Sequence, residues 1–503
     1  AVNNQENNRM RLDTIVDGRT LRELYLTGFE IAVTESQPWT VMCAYNLVNG
    51  EHAGESRKPL TDILRTEWGF QGLVMSDWMA VADRPAGVHA GLDLEMPSSS
   101  GAWDARVQAA LKEGTLSRED LDRACVRVVA LLLRVAAGRA ANSGAPDLDA
   151  HHALARRAAA AGTVLLANDG LLPLSGQGRV ALIGAFAETP RYQGAGSSQV
   201  QPTRLDAALP ALRERLGDRL DYAPGYDAAT GATTPELLAE TRRVAAGADA
   251  VILLVGLPAS HESEGFDREH LRLPRGHDDL VEVVTAANPR TAAVLCNGAP
   301  VEIGWADRPA ALVEAYLGGQ AGGAALVDVL FGDVEPGGRL AESFPMAGSE
   351  LPASANFSDH PTQVQYREGF NVGYRFHDTA HVAPRFCFGH GLGYTRFEYS
   401  EPIVTGAGVD RDVSLTVTNV GQRAGSEVVQ LYVHDPVSTL ARPEQELKAF
   451  SKVHLAAGES ARVVLPLNRR SFAVYDVASA SWLVEAGDRS EEHTSELQSR
   501  FGI

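Results

Sequence analysis

The stretch Gly72-Leu73-Val74-Met75-Ser76-Asp77-Trp78 sets three apolar residues behind a glycine and ends them abruptly in Ser76, Asp77 and Trp78. A short apolar run bounded in this way reads as a buried strand of a parallel sheet. A carboxylate followed by an indole at the C-terminal end of such a strand stands where barrel enzymes carry their chemistry. Trp78 adds a flat apolar face of the kind a sugar ring stacks on. The competing local reading makes Asp77 the N-cap of a following helix and Trp78 a core residue.

Outward from this stretch, residues 1–135 alternate helix and strand. Leu21, Leu24, Tyr25, Gly28, Phe29, Ala32 and Val33 recur at helical spacing. Val41 to Ala44 reads as a strand ending in Tyr45-Asn46, Leu60 to Trp68 as a helix, and Leu92 to Pro97 as a third strand-like end. A helix from Trp103 to Lys112 is stopped by Gly114. Ser117 with Asp120 opens another, through Leu133. This is β/α repetition. It holds about three strands, where a closed barrel needs about eight, so the expected architecture is the C-terminal part of a (β/α)8 TIM-like barrel.

Residues 136–155 are rich in Ala, Gly, Asn and Asp and are expected to be a linker. Residues 156–345 are expected to form an α/β sandwich domain, with buried strands at Val180-Ala-Leu-Ile-Gly184, Ala250 to Gly256 and Ala292 to Cys296. Gly194-Ala-Gly-Ser-Ser resembles a glycine loop, but the G-x-G-x-x-G spacing and following helix of a dinucleotide fingerprint are absent. Residues 346–400, with many Pro, Gly and aromatic residues, predict an extended crossing segment held by aromatic contacts. From 401 to 488 the period changes to two: Val413, Leu415, Val417, then Val429, Leu431, Val433, then Val463, Leu465, Leu467. That pattern argues a β-sandwich. The fold class is therefore multidomain α/β plus all-β.

Composition narrows the function classes. The 503 residues are 45% hydrophobic and 22% charged, with a formal net charge of −19. Nucleic acid and anionic membrane are poor partners for such a chain, and no run is long and apolar enough to span a bilayer. Cys43, Cys125, Cys296 and Cys387 are scattered and form neither a CxxC pair nor a disulfide framework. Both ends read as cut. The sequence starts Ala-Val-Asn-Asn without an initiator methionine. Arg489 to Ser499, RSEEHTSELQS, resembles a translated sequencing adapter, so 489–503 is set aside as an expected artefactual tail.

A second informative site is His261-Glu262-Ser263-Glu264-Gly265-Phe266-Asp267-Arg268, which follows the strand at 251–255. It sits at a strand's C-terminal edge, where open α/β sheets bind ligands. As a solvated loop it would mean little; as a movable carboxyl group it has a specific use. Glycoside hydrolysis needs two carboxyl groups across one bond. One is an ionised nucleophile; the other is first an acid, then a base. Asp77 and Glu264 fit those roles. No metal or other cofactor is required, and no His/Cys cluster has ligand spacing.

The ordered set of motifs resembles glycoside hydrolase family 3, of the β-glucosidase type. Matching stretches are Asn3-Asn-Gln-Glu6, Arg19 to Leu26, Val41-Met-Cys-Ala-Tyr45-Asn, Val74-Met-Ser-Asp77-Trp78 and Ala90 to Pro97. Later come Val164 to Gly170, Glu264-Gly-Phe-Asp-Arg268, Phe331 to Leu340, Gly373-Tyr-Arg-Phe and Phe388 to Thr395. The resemblance implies Asp77 as nucleophile and Glu264 as acid/base, with Glu262 in reserve. It implies Met42, Tyr45 and Trp78 as substrate-binding residues of a glucose subsite, and a fibronectin type III-like last domain. The implied partner is a small-molecule or oligosaccharide β-glucoside.

In the family a Lys-His pair lies just before the Asn-Asn-Gln-Glu segment, and an Asp and an Arg lie further upstream, all holding sugar hydroxyls. The sequence begins after that position, so it is expected to lack half the sugar clamp and to be inactive or nearly so. Competing readings are a β-xylosidase or N-acetylhexosaminidase on the same fold and a non-catalytic carbohydrate-binding protein using the sandwich.

Overall fold

Thr40–Cys43 (β1) and Leu73–Ser76 (β2) form a parallel pair in the computed structural model, with Met42 opposite Met75 and Cys43 opposite Ser76. The structure describes residues 1–142, 144–357 and 362–487, and the backbone of 490–493. Leu73 is buried, and Val74 is buried in a cluster with Leu26, Val33, Leu60, Ile63, Leu64, Phe70 and Leu92. Gly72 is needed where it stands: a Cβ there would lie 2.5 Å from the Trp39 carbonyl oxygen and 2.6 Å from the Phe70 ring.

The chain divides into two compact units, the first comprising Ala1–Pro146, Pro352–Phe370 and Val474–Leu483. Besides the β1–β2 pair it holds a small sheet in which Asp13–Ile15 pairs in parallel with both Leu47–Val48 and Gln363–Gln365. The expected third strand at Leu92–Pro97 reduces to a single bridge, Leu94 to Met75. The reason is Asp93, whose buried carboxylate takes the Val74 amide (2.9 Å) that a paired strand would have used. Arg65 (2.6 Å) and Arg127 (2.9 Å) hold its charge. No closed barrel forms among the described residues of this unit.

Ser117 accepts the Asp120 amide at 3.0 Å and opens a helix, Arg118–Ala141 (α1), longer than its expected end at Leu133. A second helix, Leu148–Gly162 (α2), starts at Asp147, whose carboxylate accepts the Ala150 amide. The expected linker at 136–155 is therefore mostly helical, and only 142–147 connects α1 to α2. Alanine is the strongest helix former, and its abundance there outweighs the scattered glycines. No helix among the described residues is long and apolar enough to cross a membrane.

The second unit comprises Asp147–Leu351, Asn371–Ala473 and Val484–Ile503. Its strands Val164–Asn168 (β3), Val180–Ile183 (β4), Leu220–Ala223 (β5), Ala250–Gly256 (β6), Thr291–Cys296 (β7) and Ala311–Glu314 (β8) make one sheet in the order β3-β8-β7-β6-β4-β5. All neighbours are parallel except β3 with β8. Every residue of β6 is buried, as a central parallel strand covered on both faces must be. The order turns at β4, which passes first to the edge strand β5 and then back across to β6, leaving a crevice at the C-terminal strand ends.

The period-two region is a sandwich. Asp410–Asn419 (β9) pairs antiparallel with Ser460–Leu467 (β12), and Gly425–His434 (β10) with Glu446–Leu455 (β11). Its core is the alternating set read from the sequence, joined by Leu455. The expected block 401–488 differs at both ends. Phe397–Tyr399 already pairs with β9, and Val474–Leu483 belongs to the first unit. The expected crossing segment at 346–400 is likewise divided, Pro352–Phe370 going with the first unit and Asn371 onward with the second. Its aromatic contacts include Tyr374 with Phe388 at 4.9 Å and Phe386 with His390 at 5.0 Å. Of the tail set aside at 489–503, the backbone of Ser490–His493 pairs with β10; 489 and 494–503 lie outside the described residues.

Candidate active site

In the first unit, Asp77 stands one residue past β2, held by strand backbone. It caps no helix: the next one begins at Arg84, with Asp83 as its cap. The Asp77 Oδ1 instead accepts its neighbour's amide, Trp78 N, at 2.6 Å. Ser76 steadies the strand end, since its Oγ accepts the Met96 amide at 2.8 Å and its amide donates to the Leu94 carbonyl at 2.9 Å. Met79 follows in a left-handed conformation (φ 68°), donating its amide to the Met96 carbonyl at 2.8 Å.

Two expected substrate-binding residues present apolar surface here: Trp78 is 57% exposed, and Met42, on β1, 56%. Tyr45 is different. It is buried, and the Arg9 guanidinium lies 4.9 Å from its ring centroid. Cys43, at the end of β1, is close enough to Asp77 for the Asp77 amide to act on its thiol, though burial dominates and pushes that thiol up.

Glu264 belongs to the second unit, in the loop leaving β6. The glycine loop at 194–198 meets it there, a partnership that reading the two stretches separately missed. Glu264 donates its amide to the Ala195 carbonyl at 3.1 Å. Its Oε2 accepts from the Ser197 amide at 2.7 Å and from the Ser197 hydroxyl. Gly196 has φ 105°, and a Cβ there would lie 2.4 Å from the Glu264 Cβ, so only glycine lets the loop close over this side chain. Gln193 braces the loop, accepting the Val200 amide at 2.9 Å and donating to Tyr192 Oη at 2.8 Å. The backbone amide turned toward a carboxylate explains why the glycines resemble an anion-binding loop without the nucleotide spacing. The sequence signal was present in Gly194-x-Gly196-Ser197 itself; what it lacked was any hint of the partner.

Glu262 points elsewhere. Both of its oxygens accept the Gly298 amide, at 2.9 and 3.0 Å, and Arg191 Nη2 lies 3.7 Å away. Glu314, the last residue of β8, is fully buried, accepting from Asn297 Nδ2 at 3.0 Å and the Tyr316 amide at 2.8 Å. Burial pushes its carboxyl well up. Glu342, also raised by burial, accepts the Tyr316 hydroxyl at 3.1 Å. His261 sits beside Ser260 Oγ at 3.1 Å, its imidazole lowered by burial, then by His270 and Arg268.

Comparison with known proteins finds three family matches along the chain. The "Glycosyl hydrolase family 3 N terminal domain" matches residues 7–131. The "Glycosyl hydrolase family 3 C-terminal domain" matches 163–394, and a "Fibronectin type III-like domain" matches 427–490. The crystal structure of a GH3 β-glucosidase from Bifidobacterium adolescentis superposes with a TM-score of 0.95 at 41% identity, over 98% of this chain and 73% of that one. The chain belongs to glycoside hydrolase family 3. It is also similar to thermostable β-glucosidase B of Acetivibrio thermocellus, 48% identical over 97% of this chain and 65% of that protein. An exo-α-(1→6)-L-arabinopyranosidase of Bifidobacterium breve is 41% identical over 98% of this chain and 66% of that protein. The chain thus spans just under two thirds of the length of these two relatives.

Proposed function

We propose that this family 3 chain carries the nucleophile and the proton donor of a retaining, exo-acting β-glycosidase that releases terminal β-D-glucosyl residues. The supporting observation is the pair of carboxylates, each held at the C-terminal edge of a parallel strand by backbone amides: Asp77 by Trp78, Glu264 by Ser197. In the proposed reaction Asp77 attacks the anomeric carbon while Glu264 protonates the departing glycosidic oxygen. A covalent glycosyl-aspartate results. Glu264, now ionised, takes a proton from water; the water oxygen bonds to the anomeric carbon and the Asp77 carboxylate leaves. Two inversions retain configuration, and the chemistry requires the carboxyl groups about 5–5.5 Å apart across the sugar. Trp78, with Met42, supplies the apolar surface for the ring.

The 503 residues alone are proposed to turn over glucosides poorly, because among the described residues β1, β2 and the Leu94 bridge alone flank Asp77, in an open sheet. Turnover by the chain itself that Asp77→Ala removes would overturn that part. The mechanism is tested in a fusion supplying the portion of the Acetivibrio relative that this chain does not span. A 2-deoxy-2-fluoroglucosyl inactivator should label Asp77, seen by mass spectrometry of the digested protein. Label on any other residue refutes the assignment. The similarity to an arabinopyranosidase makes α-L-arabinopyranosides a second substrate reading. The ratio of kcat/KM on aryl β-glucoside and aryl α-L-arabinopyranoside decides between them.

A further inference from the structure

The reserve carboxylate, Glu262, is built into the fold in a way that suits it to a different task. Both oxygens accept a single backbone amide, that of Gly298, just beyond the end of β7. Gly298 is itself a close-approach glycine, since a Cβ there would sit 2.8 Å from Glu262 Oε1. Arg191 spans the base of the same loop, donating Nε to the Leu257 carbonyl at 2.8 Å while Nη2 lies 3.7 Å from Glu262. Further along, Arg268 Nη1 donates to the Pro300 carbonyl at 3.0 Å. The loop leaving β6 is therefore pinned before, at and after the 262–264 segment to residues beyond β7 and to the segment following β4. Only two residues past the Gly298 contact, Glu264 is received by Ala195, Gly196 and Ser197.

We infer that Glu262 is a positioning residue, an anionic latch to Gly298 and Arg191 that fixes where Glu264 sits. The inference rests on the reading of Glu264 as proton donor, and gives the second glutamate of the loop a role other than spare acid. Both Glu262 oxygens already face an N–H, and a guanidinium stands beside them.

The test is amide hydrogen exchange on the 503-residue chain, comparing Glu262→Ala, Glu262→Gln and Glu264→Ala with the parent. Loss of one charge-assisted bond is expected to speed exchange about tenfold where protection depends on it. In Glu262→Ala the acceleration should appear at Gly298, at 260–266 and, through Glu264, at 195–198. Glu262→Gln keeps an acceptor for the Gly298 amide and should restore most of the protection. Glu264→Ala should release 195–198 and leave Gly298 protected. The latch is overturned if Glu262→Ala frees Gly298 but leaves 195–198 unchanged, or if Glu262→Gln behaves like Glu262→Ala. Should Glu262→Ala lose protection throughout β6, Glu262→Gln carries the test: release of Gly298 without 195–198 refutes the latch, release of both to a lesser degree upholds it. The proton-donor reading fails separately. If azide restores turnover to Glu262→Ala and not to Glu264→Ala in the fusion, the two glutamates exchange roles, and the latch falls with the reading beneath it.

Discussion

Strands β2 and β6 are written in the same kind of sequence, short apolar runs ending in a polar turn, yet they have different surroundings. β6 is hydrogen-bonded on both sides, to β4 and β7, and every one of its residues is buried. Among the described residues β2 pairs fully on one side only, and its partner β1 exposes Thr40 and Met42. The two carboxylates differ in parallel. Glu264 is received by a dedicated glycine-serine loop; Asp77 has the amide of its own neighbour. An apolar run reports that a strand is able to be buried. What covers it is decided elsewhere in the chain.

The largest expected effect breaks the comparison at its chemical end. In the fusion, Asp77→Asn should lower kcat by about 10^4-fold or more, as loss of a nucleophile does, with KM little changed. Activity within tenfold of the parent would remove Asp77 from the nucleophile role. Next comes Glu264→Gln, expected to cost about 10^2- to 10^3-fold on disaccharides and much less on aryl glucosides with good leaving groups, which need little protonation. Equal losses on both substrates would deny Glu264 the acid role.

A smaller effect concerns packing. Leu253→Ala in β6 removes a fully buried side chain and should cost about 3–4 kcal/mol in urea unfolding. Met42→Ala in β1, more than half exposed, should cost about 0.5 kcal/mol or less. Similar losses at both positions would mean that β1 is as well covered as β6.

The same contrast explains what could be read from the sequence. The sandwich core was legible residue by residue because a period of two leaves no freedom over which side chains face inward. Three strands of the second unit's sheet, β4, β6 and β7, were legible because continuous apolar runs admit few other states, while β3, β5 and β8 were not read as strands. Asp77 and Glu264 were legible by type and by position after a strand. The end of α1 was not, because Ala136, Ala137, Ala140 and Ala141, past Leu133, carry helix propensity without a periodic apolar signal. The bridge at Leu94 was hidden by Asp93, whose side chain replaces a backbone partner. Ser197 was invisible as a partner of Glu264 because the two lie 67 residues apart, and nothing local records such a meeting.

A pH-dependent effect sharpens the comparison within the second unit, where the α/β part meets the sandwich. Glu335 follows the β8-side helix Gly322–Leu330 and reaches β10, its Oε2 accepting the Ser426 amide. Arg339, Lys452 and Glu427 surround it, and Tyr394 lies near. Gly393 and Gly425 press so close that a Cβ on either would lie within 2.4 Å of Glu335 Oε1. Burial is the largest influence and raises the carboxyl from 4.5 to about 7, against the Ser426 bond and the two cations. The folded state therefore favours the neutral acid. Its contribution is full below about pH 4.5 and is lost as pH rises through 7, where the seam must either hold a charge or open. Glu335→Gln, neutral at every pH and nearly the same shape, should match the parent at pH 4.5 and exceed it at pH 8 by about 1–2 kcal/mol, after allowing for the solvent that reaches the group. The check is unfolding of parent and variant across that range. If the difference instead grows toward low pH, the surrounding cations outweigh burial, and the seam is held by an ion pair rather than by a protonated carboxyl.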